Sequence, residues 1–233
     1  MHSVKENLQI LFEDNHLIIV SKRVGDIVQG DKTGDPPLNE ILKEYIAEKY
    51  QKPGKVFLGV VHRLDRPTSG IVIFARTSKA LERMNKQFRE KIVKKTYWAL
   101  VEGHPEHEKD TLLHYLKKNP KNNKASAYAN PGKDTKKAVL HYKCLLKLDH
   151  YSLLEIDLET GRHHQIRCQL SVNGNPIRGD LKYGSKRSNP NGGIHLHARR
   201  IEFIHPVKKV PVILEAALPK DKLWQVCEAQ LPS

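Results

Sequence analysis

The sequence predicts an α+β fold: a mixed, largely antiparallel β-sheet with helices packed on it, in a single domain. Three observations carry this. Short runs rich in β-branched and aromatic residues outnumber stretches with helical periodicity. Several of these runs follow one another across short polar turns, as hairpins do. Only four segments carry the capping and spacing signals of helices. At 233 residues, with 39% hydrophobic and 28% charged residues, the chain has ordinary globular composition and can form a substantial core.

Gln9 to Phe12 and Leu17 to Val20 read as a hairpin across Glu13-Asp14-Asn15-His16. A Gly- and Asp-rich loop, Ser21 to Pro37, follows. Asp35-Pro36 is a helix-start signal, and Leu38, Ile41, Leu42, Tyr45 and Ile46 recur at helical spacing before Pro53-Gly54 stops the helix. Val56 to Val61 and Ile71 to Ala75 have the length and composition of buried strands. Thr77 or Ser78 caps a second helix with Leu81, Met84, Phe88 and Ile92 as its apolar stripe. Thr96 to Val101 is a strand, with Trp98 expected on the face opposite Tyr97, and Glu102 to Asp110 is an exposed connection.

Leu112 to Leu116 reads as a further strand. From Lys117 to Lys137 there are seven lysines against one acid. Two readings of that run are open, a solvated loop and a segment that follows a phosphate backbone. Val139 to Leu148 and Tyr151 to Leu158 form a second hairpin, and alternation in the latter predicts one buried face. A short helix runs from His163 to Val172 and ends at Asn173-Gly174 in a left-handed cap. A loop from Asn175 to Gly193 leads to strands near Ile194 to Phe203 and Val210 to Ala217, then a helix near Asp221 to Ala229.

The formal net charge of +14 points to a polyanionic partner, nucleic acid before anionic membrane. No apolar run approaches bilayer length, and the polar start, Met1 to Asn7, reads as neither signal nor anchor, so the cytoplasm is expected. Three scattered cysteines fit a reducing compartment and lack structural-zinc spacing. His164 and Cys168 would share a helical face, yet no second pair completes a metal set; no metal is expected.

Between the two apolar runs stands His62-Arg63-Leu64-Asp65-Arg66-Pro67-Thr68-Ser69-Gly70. Pro67 and Gly70 punctuate a turn, and a lone carboxylate sits between two arginines where strands end. From spacing alone, Asp65 is either a catalytic group or a turn residue tied to its neighbours.

This nonapeptide resembles the active-site signature of the RluA-type pseudouridine synthases. Leu11 to Lys22 is similar to that family's first strand pair. Lys95-Thr96-Tyr97-Trp98-Ala99-Leu100-Val101 resembles its lysine-x-tyrosine strand. Gly161-Arg162-His163-His164-Gln165-Ile166-Arg167, followed by Gly179-Asp180-Leu181-Lys182-Tyr183-Gly184, resembles its third motif. The likeness runs from about Gln9 to Leu218. It implies isomerisation of uridine to pseudouridine in a folded rRNA or tRNA stem-loop, with no cofactor. Asp65 aligns with the family's essential aspartate, argued both as a nucleophile and in a route through a ribose glycal. Arg167 aligns with the arginine that pairs with it, and Tyr97 with the tyrosine lying against the target base. A neighbouring guanidinium would keep the carboxylate ionised and oriented.

The target uracil must be flipped out of its stack, and by resemblance Arg63 takes the vacated place. His62, Arg66 and Lys95 are further candidate RNA contacts, together with Lys22-Arg23 and the lysine-rich run. Lys22-Arg23-Val24-Gly25 departs from the family's lysine-proline-x-glycine, and Cys168-Gln169 stands where a histidine is usual. Only about eight residues precede the first strand, so no separate N-terminal RNA-binding domain is expected; a monomer without protein partners is. A glycosidase would want two opposed carboxylates, and one conspicuous acid is present. A non-catalytic RNA-binding relative would be expected to have lost Asp65, Tyr97 or Arg167.

Overall fold

The computed structural model describes residues 2–31 and 33–231. The chain forms two compact units, Met1–Lys94 with Ala198–Ala217, and Lys95–His197 with Leu218–Ser233. Each has the expected character, a largely antiparallel sheet carrying helices. No helix among the described residues is long and apolar enough to cross a membrane.

In the first unit β1 (Ile10–Glu13) and β2 (Leu17–Lys22) make the expected hairpin. Asp14 closes it by accepting the amides of His16 and Leu17 at 2.8 and 2.9 Å. β2 pairs antiparallel with β4 (Ser69–Ala75), from Leu17↔Ala75 to Lys22↔Gly70. Every residue of both strands is buried, which is why their sequences are continuous apolar runs without alternation. The order continues to β10 (Leu196–Ile204), which β11 (Pro211–Glu215) flanks.

The strand expected over Val56 to Val61 is only β3, Gly59–Val60. It meets β4 at its last two residues, Ala75 and Phe74, while β2 takes the length of β4; Phe57 stays exposed. Gly59 lets α2 approach, since a Cβ there would lie 2.7 Å from Leu81 Cδ2.

Helix α1 (Leu38–Lys49) buries Leu38, Leu42 and Ile46, with Ile41 and Tyr45 half-buried. Asp35 does not cap it. The first amides of α1 donate instead to the carbonyls of Ile27 (2.8 Å) and Val28 (3.3 Å), and the Asp35 carboxylate turns to Arg66. Helix α2 (Ser78–Arg89) is capped by Thr77, whose Oγ1 accepts from the Ala80 amide at 3.2 Å. The stripe stops short of Ile92, because the chain turns at Lys91 (φ 56°), leaving Ile92 exposed and Val93 buried. Leu17, Ile19, Ile71 and Ile73 pack with Ala80 and Met84 of α2 and with Ile201 and Phe203 of β10 as the unit's core.

The second unit is an antiparallel sheet in the order β5 (Lys94–Glu102), β9 (Tyr151–Leu158), β8 (Lys136–Lys147), β6 (Lys109–Asn119) and β7 (Lys124–Tyr128). The lysine-rich run is therefore only in part a loop: Lys117, Lys118, Lys124, Lys136 and Lys137 stand on strands, and Lys121 and Lys133 on the connections between them. β6 extends through Lys117 to Asn119 and returns along β7. Leu116, Ala125, Ala127 and Ala138 fasten that hairpin by packing against Cys168 and Tyr183. Helix α3 (Gln165–Val172) lies on this face, and Gly174 (φ 86°) supplies the left-handed residue after it. Helix α4 (Lys222–Gln230), capped by Asp221, packs Trp224 and Cys227 on the opposite face with Leu100, Leu153 and Trp98. Trp98 and Tyr97 thus stand on opposite faces of β5, as alternation requires.

Candidate active site

Asp65 is half-buried in the turn that enters β4, and its carbonyl accepts the Thr68 amide at 3.0 Å. The turn closes on Gly70, whose φ is 110°; a Cβ there would come within 2.5 Å of the Ala198 amide nitrogen. Only glycine fits that close approach of β10 at an angle L residues avoid.

Both shoulders of the loop are fixed. On one side the Ile73 amide donates to His62 Nε2 at 3.1 Å, and the His62 ring stacks on Phe88 with centroids 5.1 Å apart. On the other, the Arg66 carbonyl accepts from the Gly25 amide (3.0 Å) and from Lys22 Nζ (3.1 Å), while the Arg66 guanidinium pairs with Asp35. Arg63 stands exposed on the same loop.

Lys22 is not a surface contact for RNA. It is 1% exposed, and its ammonium also donates to the carbonyls of Arg23 (2.9 Å) and Asp26 (2.8 Å). Three N–H groups meet three carbonyls. Burial pulls its pKa down to about 7, against the opposing charges of Asp26 and Asp65. Asp26 is held by the Ser3 amide (2.9 Å) and hydroxyl (2.6 Å). Arg23 donates to the Asn7 carbonyl at 2.9 Å, so the departure from lysine-proline-x-glycine leaves a tightly bonded turn, with Gly25 at φ 90°.

In the second unit Tyr97 is buried on β5, directly opposite Ile156. Lys95 lies two residues earlier, its Nζ beside Gly161 where the third motif begins (3.7 Å to a Cβ built there). Burial lowers the Lys95 pKa.

Arg167 is buried on α3, and Asp180 grips it with both oxygens: Nε donates to Oδ2 at 2.6 Å and Nη2 to Oδ1 at 2.8 Å. Asp180 is 1% exposed. This bidentate fork fixes the plane of the guanidinium. The Tyr183 ring centre lies 5.1 Å from the guanidinium carbon, a cation–π contact that restrains its face. Tyr183 is itself anchored, its Oη accepting from the Ala125 amide (2.7 Å) and bonding His164 Nδ1 (2.9 Å). Burial pushes the Tyr183 pKa up to about 12, keeping the phenol a donor.

His163 and His164 stack with centroids 3.8 Å apart, and His164 adopts φ 50° before α3. Burial pushes the Cys168 pKa up to about 11, and its thiol points at the Ala125 carbonyl (3.3 Å). Gln169, in place of the family's histidine, ties α3 to the sheet through the Leu112 carbonyl (2.9 Å) and His114 Nδ1 (3.1 Å).

The structure thus gathers His62, Arg63, Asp65 and Arg66 on one tethered loop of the first unit. It places Lys95, Tyr97 and Arg167 on β5 and α3 of the second. The sequence assigns no role to Asp180 or Tyr183, and gives Lys22 an RNA contact rather than the buried anchor it forms. A lysine inside an apolar strand and a Gly-Asp turn were the signals available.

Residues 16–172 match a family model described as RNA pseudouridylate synthase. The chain is 35% identical over 219 residues to the uncharacterized RNA pseudouridine synthase YhcT of Bacillus subtilis, covering 92% of this chain and 70% of that protein. It is 34% identical over 224 residues to ribosomal large subunit pseudouridine synthase D of Zymomonas mobilis, with the same coverage of 92% and 70%. Human RNA pseudouridylate synthase domain containing 4 shares the fold, with a TM-score of 0.78 at 22% identity over 97% of this chain and 94% of that one.

Proposed function

The chain belongs to the RNA pseudouridylate synthase family and is an RNA pseudouridine synthase, an isomerase; on that premise we propose that Asp65, Tyr97 and Arg167 carry the reaction on a uridine flipped out of an rRNA or tRNA stem-loop. The bond from ribose C1′ to uracil N1 breaks, the base turns, and C1′ joins C5. The proton leaves C5 and N1 gains one, so product and substrate are isomers and no cofactor enters the balance. Asp65 acts at the sugar as an ionised carboxylate, either attacking an electrophilic carbon or accepting a proton. The Arg167 guanidinium steadies that charge. Tyr97 lies against the base and assists loss of the C5 proton.

Arg63 fills the gap left in the stack, since a planar cation stacks on bases and meets phosphates. Arg66, Lys95 and His62 contact the RNA around the target; His62 does so from a ring already bonded to the Ile73 amide. The name of the Zymomonas relative favours a large-subunit rRNA target, and a tRNA is the second candidate. The chain works as a monomer and a single catalytic domain in the cytoplasm.

The observation that carries this reading is the tethering of the Asp65 loop at both shoulders. A catalytic carboxylate has to be held in place by its surroundings, and this loop is bonded to β4, α2 and the Lys22 ammonium. The test is Asp65→Asn, isosteric and uncharged. It is expected to keep fold and RNA affinity and to abolish pseudouridine in carbodiimide primer-extension maps of RNA from a strain lacking the gene. Restored modification by the variant would remove Asp65 from the chemistry.

A further inference from the structure

The outer face of the β6–β7–β8 hairpin region has no role in the reaction above. Tyr115 on β6 lies directly opposite Tyr128 on β7 and Lys137 on β8. Alternation places Leu113 and Lys117 beside them on the same face, whereas Leu112, Leu116, Ala125 and Ala138 turn to the face under α3. Tyr128 is 48% and Leu113 45% exposed. Two facing tyrosines and a leucine, flanked by ammonium groups, are unusual on the open end of a sheet, which ordinarily carries charge against edge pairing.

We propose that this face is a stacking platform for a single-stranded segment of the RNA substrate, separate from the target nucleotide. The proposal rests on the RNA-modifying reading and extends it. Aromatic side chains on a sheet face stack unpaired bases, while lysines beside them meet the backbone; an A-form duplex keeps its base faces hidden. The hairpin region holds seven lysines and one acid between Lys117 and Lys137. That acid, Asp134, lies 3.3 Å from Lys117 in an exposed pair, which an incoming phosphate displaces easily. A protein partner fits less well, because lysines are depleted from protein–protein interfaces. Tyr97 belongs to the other face, reached from β6 through Tyr142 and Ile156, so a base on the platform is a different nucleotide from the one isomerised.

The test measures binding of fluorescein-labelled oligouridylate of about twelve nucleotides, and of an RNA duplex of similar length, by anisotropy. Tyr115→Ala with Tyr128→Ala should weaken the single strand roughly 30-fold or more, while Tyr115→Phe with Tyr128→Phe stays within about threefold of wild type. Lys117→Gln with Lys137→Gln should reduce the log–log salt slope by about 1.4. Unchanged binding by the alanine pair overturns the platform, as does an equal loss in the phenylalanine pair or an equal effect on the duplex. Wild-type protein is assayed in parallel for pseudouridine formation in total rRNA and tRNA. Product there together with unchanged oligonucleotide binding sinks the platform alone; no product sinks the RNA-modifying reading instead.

Discussion

Replacing Asp180 by Asn tests whether the arginine of the third motif works only when its plane is fixed. In the native pair Nε and Nη2 each donate to a separate carboxylate oxygen, at 2.6 and 2.8 Å, with both residues buried. An asparagine amide can accept one of these bonds, but its NH2 then faces the other guanidinium N–H, donor against donor. The guanidinium rotates or loses a partner, and a buried cation is left short of its counter-charge. Breaking one side of such a pair costs about 3–5 kcal/mol. For a chain of this size that is a fall in Tm of roughly 6–20 °C. Displacing a catalytic group by about 1 Å costs on the order of 10²-fold in rate. Tritium release from RNA carrying [5-³H]uridine follows loss of the C5 hydrogen, so it reads turnover directly. Well below the variant's Tm, kcat should fall about 10²-fold while KM changes little, because the loss is in orientation. Asp180→Glu, which retains the charge, should recover part of kcat. A folded Asp180→Asn protein with wild-type kcat would refute the orienting role.

Three further outcomes follow from the geometry. Lys22 has a folded pKa near 7 and an unfolded value near 10.5, so between these the unfolded chain binds more protons and stability rises with pH by about 1.4 kcal/mol per unit; urea titrations at pH 6, 8 and 10 should show wild type gaining on Lys22→Met across that window, and parallel curves would sink the idea. Gly70→Ala drives a Cβ into the Ala198 backbone at φ 110° and should lower Tm far more than Gly59→Ala, whose Cβ meets only the movable Leu81 side chain, so equal shifts would count against the close approach. Tyr183→Phe removes the oxygen that the Ala125 amide and His164 Nδ1 share, and urea unfolding should register a loss of about 1–3 kcal/mol.

Most strands were legible because burial on both faces writes itself as uninterrupted apolar sequence, as in Leu17 to Val20 and Ile71 to Ala75. The Asp65 loop was legible because Pro67 and Gly70 punctuate it. The β6–β7 hairpin was not, because its inward positions are Leu116, Ala125 and Ala127, small or isolated among lysines, so the charge conceals the alternation. Val56 to Val61 misled in the opposite direction: β-branched composition cannot report that the neighbouring strand edge is taken. Asp35 looked like a cap, yet a carboxylate serves whichever donor is closer, and here that was Arg66. Lysine composition counts as surface charge, so nothing in Lys22 alone announced an ammonium closed over by carbonyls.

The two anchors have a common logic. Asp65, the carboxylate assigned to the chemistry, sits on a loop held from behind by the buried cation Lys22, and the two charges attract across the first unit. Arg167, the assigned cation, is held from behind by the buried anion Asp180 within the second. In each unit the group proposed for the chemistry therefore has a buried partner of opposite sign in the same unit. Such backing offsets part of the cost of taking a charge out of water, and it fixes direction, which a solvated counter-ion would not. The two backings differ in one respect. The Asp180 carboxylate meets the guanidinium of Arg167 directly through two hydrogen bonds, whereas the Lys22 ammonium holds the Asp65 loop through the Arg66 carbonyl.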